Sequence, residues 1–295
     1  MKKPVFTGAN VAIITPFDES GVNYEEFKKI IDFQLENGTD AITICGTTGE
    51  GATLSDEEHK KVVSFGVEYI NGRVPVIAGA GSNDTEYAVQ LSRFAAAEGA
   101  DAILSVTPYY NKATQKGLVR HFSAIADAAA CPVILYNVPS RTGVNIGVST
   151  YKELSKHPNI NGAKEASGSL SHIAEVMSVC GDDLNIWSGN DDQIVPIMSL
   201  GGKGVISVLS NVAPGIAHQI AQSALDGDFK TAAELQLKYL DLINALFIEV
   251  NPIPVKTAMN LLGFKAGALR MPLCEMEDAH LETLKASMRN AGLKF

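Results

Sequence analysis

Short apolar runs rich in β-branched residues recur along the chain: VAIIT (11–15), AITIC (41–45), VPVIAG (74–79), AILSV (102–106), PVILYNV (132–138), INGAK (160–164), LNIWSG (184–189) and GVISVL (204–209). Their starts lie roughly 20 to 35 residues apart, enough for a strand, a helix and two loops. Most are apolar on both faces, the pattern of parallel strands covered by helices. The segments between them have helical period. YEEFKKIIDFQLENG predicts a helix with Phe27, Ile30, Ile31 and Leu35 on one face and Gly38 as its stop. SDEEHKKVVSFGVEYI opens with Ser55 and carries Glu58 three residues on, a capping box. TEYAVQLSRFAAAEGA ends at Gly99, placed as a C′ glycine.

Eight such alternations predict an α/β fold, a closed (β/α)8 TIM barrel over residues 1–227. Residues 228–295 hold no further strand pattern and predict a small C-terminal helical region. There DFKTAAELQLKYLDLINALF reads as one helix capped by Asp228, and CEMEDAHLETLKASM as another. A doubly wound open sheet competes with the barrel, but no GxGxxG follows the first run and no GxxxxGK[ST] occurs.

Composition narrows the function classes. Of 295 residues, 46% are hydrophobic and 19% charged, as in globular proteins. The net charge of −9 argues against nucleic acid as a partner, since such binding rests on basic patches. No apolar run reaches the ~18 residues of a membrane span, and Asn10, Pro16 and Asp18 interrupt any signal-peptide core. The expectation is a soluble cytoplasmic protein with no membrane partner. Four scattered cysteines and six histidines without HxxxH or HExxH spacing predict neither a disulfide framework nor a metal site.

In a barrel of this kind chemistry sits at the C-terminal strand ends. Those ends read CGTTGEG (45–51), TPYYN (107–111), YNVPSRTG (136–143), AKEAS (163–167) and SGNDD (188–192). Lys164 closes a run of small residues, so its amine is a candidate nucleophile with a burial-lowered pKa. Position alone leaves open a solvated lysine or one paired with Glu165. Lys203 precedes the last strand and faces the other end; Lys256, in NPIPVK, lies beyond the barrel. Tyr136, one strand over from Lys164, is a candidate proton shuttle or a core aromatic. Arg141 suits a carboxylate substrate, or a surface salt bridge. Gly46 and Gly49 flank Thr47 and Thr48 in a turn suited to an anion. Tyr109 and Tyr110 are exposed aromatics for a site or a subunit contact.

GTTGE, TPYYN, YNVPSRTG, AKEAS, SGND and GVISV, in this order and spacing, resemble the dihydrodipicolinate synthase (4-hydroxy-tetrahydrodipicolinate synthase) family of pyruvate-dependent class I aldolases. The resemblance runs from FTG at 6–8 to NPIPVK at 251–256. The second threonine of GTTGE and Arg141 favour this branch over N-acetylneuraminate lyase and the sugar-acid aldolases. The resemblance implies that Lys164 forms a Schiff base with pyruvate and that the derived enamine attacks L-aspartate 4-semialdehyde. Tyr136 is then the proton shuttle, linked through Thr47 to Tyr110 of a neighbouring subunit. Thr47 and Thr48 hold the pyruvate carboxylate, Arg141 that of the semialdehyde, and Gly189 and Ile206 line the pocket. No cofactor or metal is implied, because the iminium is itself the electron sink. The family is commonly a tetramer of two tight dimers. Tyr110, after strand four, is expected too far round the barrel to reach Tyr136 of its own chain.

The same resemblance implies a candidate regulatory site for L-lysine. Ala52, His59, Asn83 and Tyr109 match the lysine-sensitive pattern, whereas Gly51, Asp56 and Tyr87 depart from it. The missing glutamate at Tyr87 leads to an expectation of weak or absent inhibition.

Overall fold

The computed structural model describes residues 2–295. Eight parallel strands close into a barrel: Gly8–Ala12, Ala41–Ile44, Val76–Gly79, Ala102–Val106, Val133–Asn137, Ile160–Glu165, Asn185–Ser188 and Gly204–Ser207. Closure is made by the first strand, which pairs with the eighth (Gly8 opposite Gly204) and with the second (Asn10 opposite Ala41). Closure leaves the barrel itself without an edge strand, and helices cover its outside; a two-stranded antiparallel hairpin, Phe17–Asp18 with Gly21–Val22, lies apart from it. The fold is the (β/α)8 barrel that the alternation predicts.

The first strand starts three residues earlier than its apolar run. Register with the eighth strand begins at Gly8, and the ladder ends after Ile13, whose amide still donates to Thr43 O at 3.0 Å; further on, Pro16 has no N–H to offer. Ile14 remains buried, but its amide donates to the Asn211 side chain at 3.0 Å instead. On the first helix, Tyr24–Glu36, Gln34 and Glu26 join Phe27, Ile30 and Ile31 in the buried face, and Leu35 is only half-buried. Gln34 belongs there because its amide donates to Ser210 O at 2.9 Å and accepts from the Thr39 hydroxyl at 2.8 Å. The capping box at Ser55 and Glu58 forms in both directions, and Gly99 follows the helix Thr85–Ala97 at φ +98°.

The C-terminal stretch read as one helix is two, Phe229–Lys238 and Leu240–Ala245, with a bend at Tyr239 that sets the second piece against the helix Asp278–Asn290. Between them NPIPVK opens a helix, Ile253–Leu261, which the sequence pattern did not announce. Its two early prolines fall where helical N–H groups have no partner anyway. Among the described residues, no helix is long and apolar enough to cross a membrane.

The barrel interior is a small core of its own, in which Ala41, Ala102, Ile134, Trp187 and Ile206 are fully buried. Trp187 stacks on Phe6 with ring centroids 5.0 Å apart and donates its indole N–H to Phe6 O at 3.2 Å. This floor depends on Gly162. A Cβ there would stand 2.6 Å from Trp187 Cζ3 and closer still to the Asn185 carbonyl oxygen. Gly162→Ala therefore should lose about 1–3 kcal/mol by overpacking, read as a lower denaturant midpoint at unchanged slope; an unchanged midpoint would show that the floor can yield.

Candidate active site

Lys164 lies opposite Tyr136 on one side and Trp187 on the other in the strand register, so all three side chains point into the barrel. The amine is buried and sits 4.4 Å from the centre of the Tyr136 ring. Burial brings its pKa from 10.5 down to about 8; Asp191 pulls it up and Arg141 pushes it down. Asp191 is itself buried, which raises its pKa, while Val208 N and Leu209 N each donate to its Oδ2 at 2.9 Å. Glu165 points the other way. It accepts from Asn137 Nδ2 at 2.9 Å, from Ser167 Oγ at 2.8 Å and from the Tyr151 hydroxyl, so it is not the partner of Lys164. Burial also raises the Tyr136 phenol, and Arg141 and the Thr47 side chain act against that.

Small residues make room for this amine. A Cβ on Gly189 would stand 3.1 Å from Lys164 Cε and 2.7 Å from Ala166 Cβ. Ile206, fully buried on the eighth strand, packs in the interior core with Tyr136.

The GTTGE turn is closed by Glu50 N to Thr47 O at 3.1 Å and Gly51 N to Gly46 O at 3.2 Å. A Cβ at Gly51 would stand well inside contact distance of the Cys45 carbonyl oxygen, so the turn as it is built here would have to shift to admit a side chain. From outside, the C-terminal region holds the turn. Asn251 Nδ2 donates to Thr48 Oγ1 at 3.0 Å, and Lys256 Nζ pairs with Glu50 Oε1 at 2.6 Å, both side chains 1% exposed. Glu50 Oε2 takes the Arg270 amide at 2.9 Å. Burial lowers Lys256 to about 8 as well. The two lysines share a pKa but not a situation: Lys256 is locked to a carboxylate, and Lys164 has no hydrogen-bonded acid. Lys203 lies at the opposite end, where its backbone bridges Ile186 O and Gly8 N.

Thr47, Tyr136, Arg141 and Asn251 line one cavity of about 480 Å³, together with Ala52, His59 and Tyr109. Lys164, Thr48, Gly189 and Ile206 are not among the residues that line it. Asn83 also lies off the lining, and its amide donates to Tyr109 O at 3.2 Å. His59 is buried, which lowers its pKa, with Nε2 2.8 Å from Gly79 O. Tyr110 is separate from the cavity: it is 92% exposed, with φ +67°. Distance round the barrel is not the reason, contrary to the expectation from strand order. Strands four and five are neighbours, with Val106 directly opposite Tyr136; the loop simply carries the Tyr110 ring out into solvent. Among the described residues, no three His, Cys, Asp or Glu side chains come together as metal ligands.

Three participants were not read from sequence as site residues. Asp191 stood in view in SGNDD without a role. Lys256, in NPIPVK, reads as lying beyond the barrel, and Asn251 of the same motif carries no reading of its own; only the folded chain returns them to the GTTGE turn.

A sequence profile of the dihydrodipicolinate synthetase family matches residues 5–291. The chain belongs to this family. It is 58% identical over 291 residues to the 4-hydroxy-tetrahydrodipicolinate synthase of Lachnoclostridium phytofermentans, covering 98% of this chain and 99% of that one. The crystal structure of dihydrodipicolinate synthase from Aquifex aeolicus superimposes with a TM-score of 0.96 at 46% identity, covering 98% of this chain and 99% of the other. That of the Cyanidioschyzon merolae synthase with lysine bound does so at 0.95 and 39%, covering 99% and 100%. Within the dihydrodipicolinate synthetase family, then, this chain carries the buried amine, the phenol beside it and the strapped threonine turn on one barrel rim.

Proposed function

We propose that this protein is a 4-hydroxy-tetrahydrodipicolinate synthase, condensing pyruvate with L-aspartate 4-semialdehyde through a Schiff base on Lys164. The observation that carries the reading is the Lys164 amine, buried against Tyr136 with a pKa of about 8. At pH 7 about one such lysine in ten is the free amine, against roughly one in 3,000 for an ordinary lysine. The amine adds to the pyruvate ketone and water leaves, giving an iminium. Loss of a methyl proton gives the enamine, whose carbon bonds to the aldehyde carbon; the resulting alkoxide takes a proton. The amino group of the semialdehyde half then attacks the imine carbon and displaces Lys164, closing the ring.

In this reading Tyr136 moves the protons, assisted by Thr47 and, from a neighbouring subunit, by Tyr110. The exposure of Tyr110 on its own chain supports that last role and a homo-oligomer, a tetramer by family likeness. Thr47 and Thr48 hold the pyruvate carboxylate, Arg141 the semialdehyde carboxylate, and Gly189 and Ile206 shape the space. The iminium draws off the carbanion's charge, so the chemistry calls for no cofactor. By the same family likeness it is expected in the cytoplasm. The direct test is borohydride reduction in the presence of pyruvate. The reduced adduct should map to the peptide holding Lys164; label on another lysine would overturn the assignment.

Regulation by L-lysine is expected to be weak or absent. Tyr87 supplies no carboxylate, and the carboxylate of Asp56 is already engaged by Lys60 at 2.7 Å and by the Tyr87 hydroxyl at 3.0 Å. An ammonium ligand would find there only a half-exposed carboxylate already shared with two donors, a poor exchange for the water it loses. A lysine series at saturating pyruvate should reach millimolar concentrations without half-inhibition. Half-inhibition well below a millimolar would contradict this.

A further inference from the structure

We infer that Asn251 is a positioning residue for pyruvate, acting by setting which way the Thr48 hydroxyl donates. The inference rests on the reading that Thr48 holds the pyruvate carboxylate. A threonine hydroxyl has one proton and two lone pairs. Thr48 is 2% exposed, and its Oγ1 accepts the Asn251 amide N–H at 3.0 Å. With a lone pair taken up by that donor, the hydroxyl proton is left for another acceptor, and an anionic substrate needs a donor there. Were the amide turned over, its oxygen would take the Thr48 proton and the hydroxyl would present only lone pairs to a carboxylate.

The carboxamide has no competing task. Among the described residues its Nδ2 bonds only to Thr48, and its Oδ1 is buried without a hydrogen-bond partner. The main chain of the same residue is held separately: its carbonyl oxygen accepts from Arg141 Nη2 at 3.0 Å. Five residues further along, Lys256 grips Glu50 of the same turn that carries Thr48. The Lys256–Glu50 pair thus fixes the segment carrying the donor to the turn carrying the acceptor, while Arg141 holds the Asn251 main chain from another loop. Asn251 is also among the residues that line the cavity, with Thr47 and Arg141.

The test is a kinetic cycle on the full-length enzyme. Asn251→Ala should raise the pyruvate KM about 3- to 10-fold, the effect of one lost hydrogen bond, and leave the semialdehyde KM within about twofold. In a Thr48→Val background, adding Asn251→Ala should change the pyruvate KM by less than about twofold, because the group it acts through is gone. Where Asn251→Ala proves unstable, Asn251→Ser keeps a polar side chain too short to reach Thr48 and should show the same split. An unchanged pyruvate KM, an equal rise for both substrates, or a full further loss in the Thr48→Val background would each overturn the inference. Borohydride trapping of wild type with pyruvate, run alongside, separates the two levels. A Lys164 adduct without the KM split sinks only the role of Asn251, and no adduct sinks the underlying reading too.

Discussion

Holding an amine in a dry place is the constraint on which the rest of this barrel depends. An ammonium stripped of water is costly unless it is paired, so the group shifts its pKa and spends more of its time neutral. Lys164 meets that condition with nothing hydrogen-bonded to it: Asp191 lies near enough to raise its pKa, but burial outweighs it. The neighbouring carboxylate, Glu165, is kept from interfering by alternation along the strand, which turns it to the outer layer and the Tyr151, Asn137 and Ser167 groups that satisfy it. Glycine at 162 and 189 follows from the same constraint, one admitting the Trp187 floor and the other the lysine stem itself.

The polar groups that surround the amine come from far apart in sequence, and the C-terminal region ties them together. The ion pair of Glu50 with Lys256 is almost fully buried, so its desolvation offsets much of its attraction and it is weak ground for a stability argument. Its geometry is more informative. It ends one helix against the turn that presents Thr47 and Thr48, with Phe17 packed beneath both cations, 4.0 Å from Lys256 and 4.1 Å from Arg270. Breaking either partner alone would strand a buried charge, at a cost of about 3–5 kcal/mol, so the helix and the turn are held in register.

The barrel was legible in the sequence because parallel strands covered on both faces write themselves as continuous apolar runs, and because caps such as Ser55 and Gly99 act locally. The residues at the strand ends could be nominated for the same reason: a strand end is a sequence position as well as a place. Recognition of six motifs in register then gave them roles that position alone left open. What escaped was long-range. The burial of Gln34 in place of Leu35 and the return of Asn251 to Thr48 depend on partners 176 and 203 residues away, and no local pattern records them. For Tyr110 strand order is uninformative: strands four and five are neighbours, and the direction of the loop decides where that ring goes.

Burial and the Asp191 charge together set the reactivity of the Lys164 amine, and the rate at which pyruvate forms the borohydride-trappable imine, followed against pH in wild type and in Asp191→Asn, reads that reactivity. The asparagine can still accept a backbone N–H at the place of Asp191 Oδ2 but carries no charge. In wild type the rate should rise with pH and level off near pH 8. Removing the carboxylate withdraws the one nearby charge that favours the ammonium, so the variant should level off at a lower pH. A plateau at the same or a higher pH in Asp191→Asn would contradict the account.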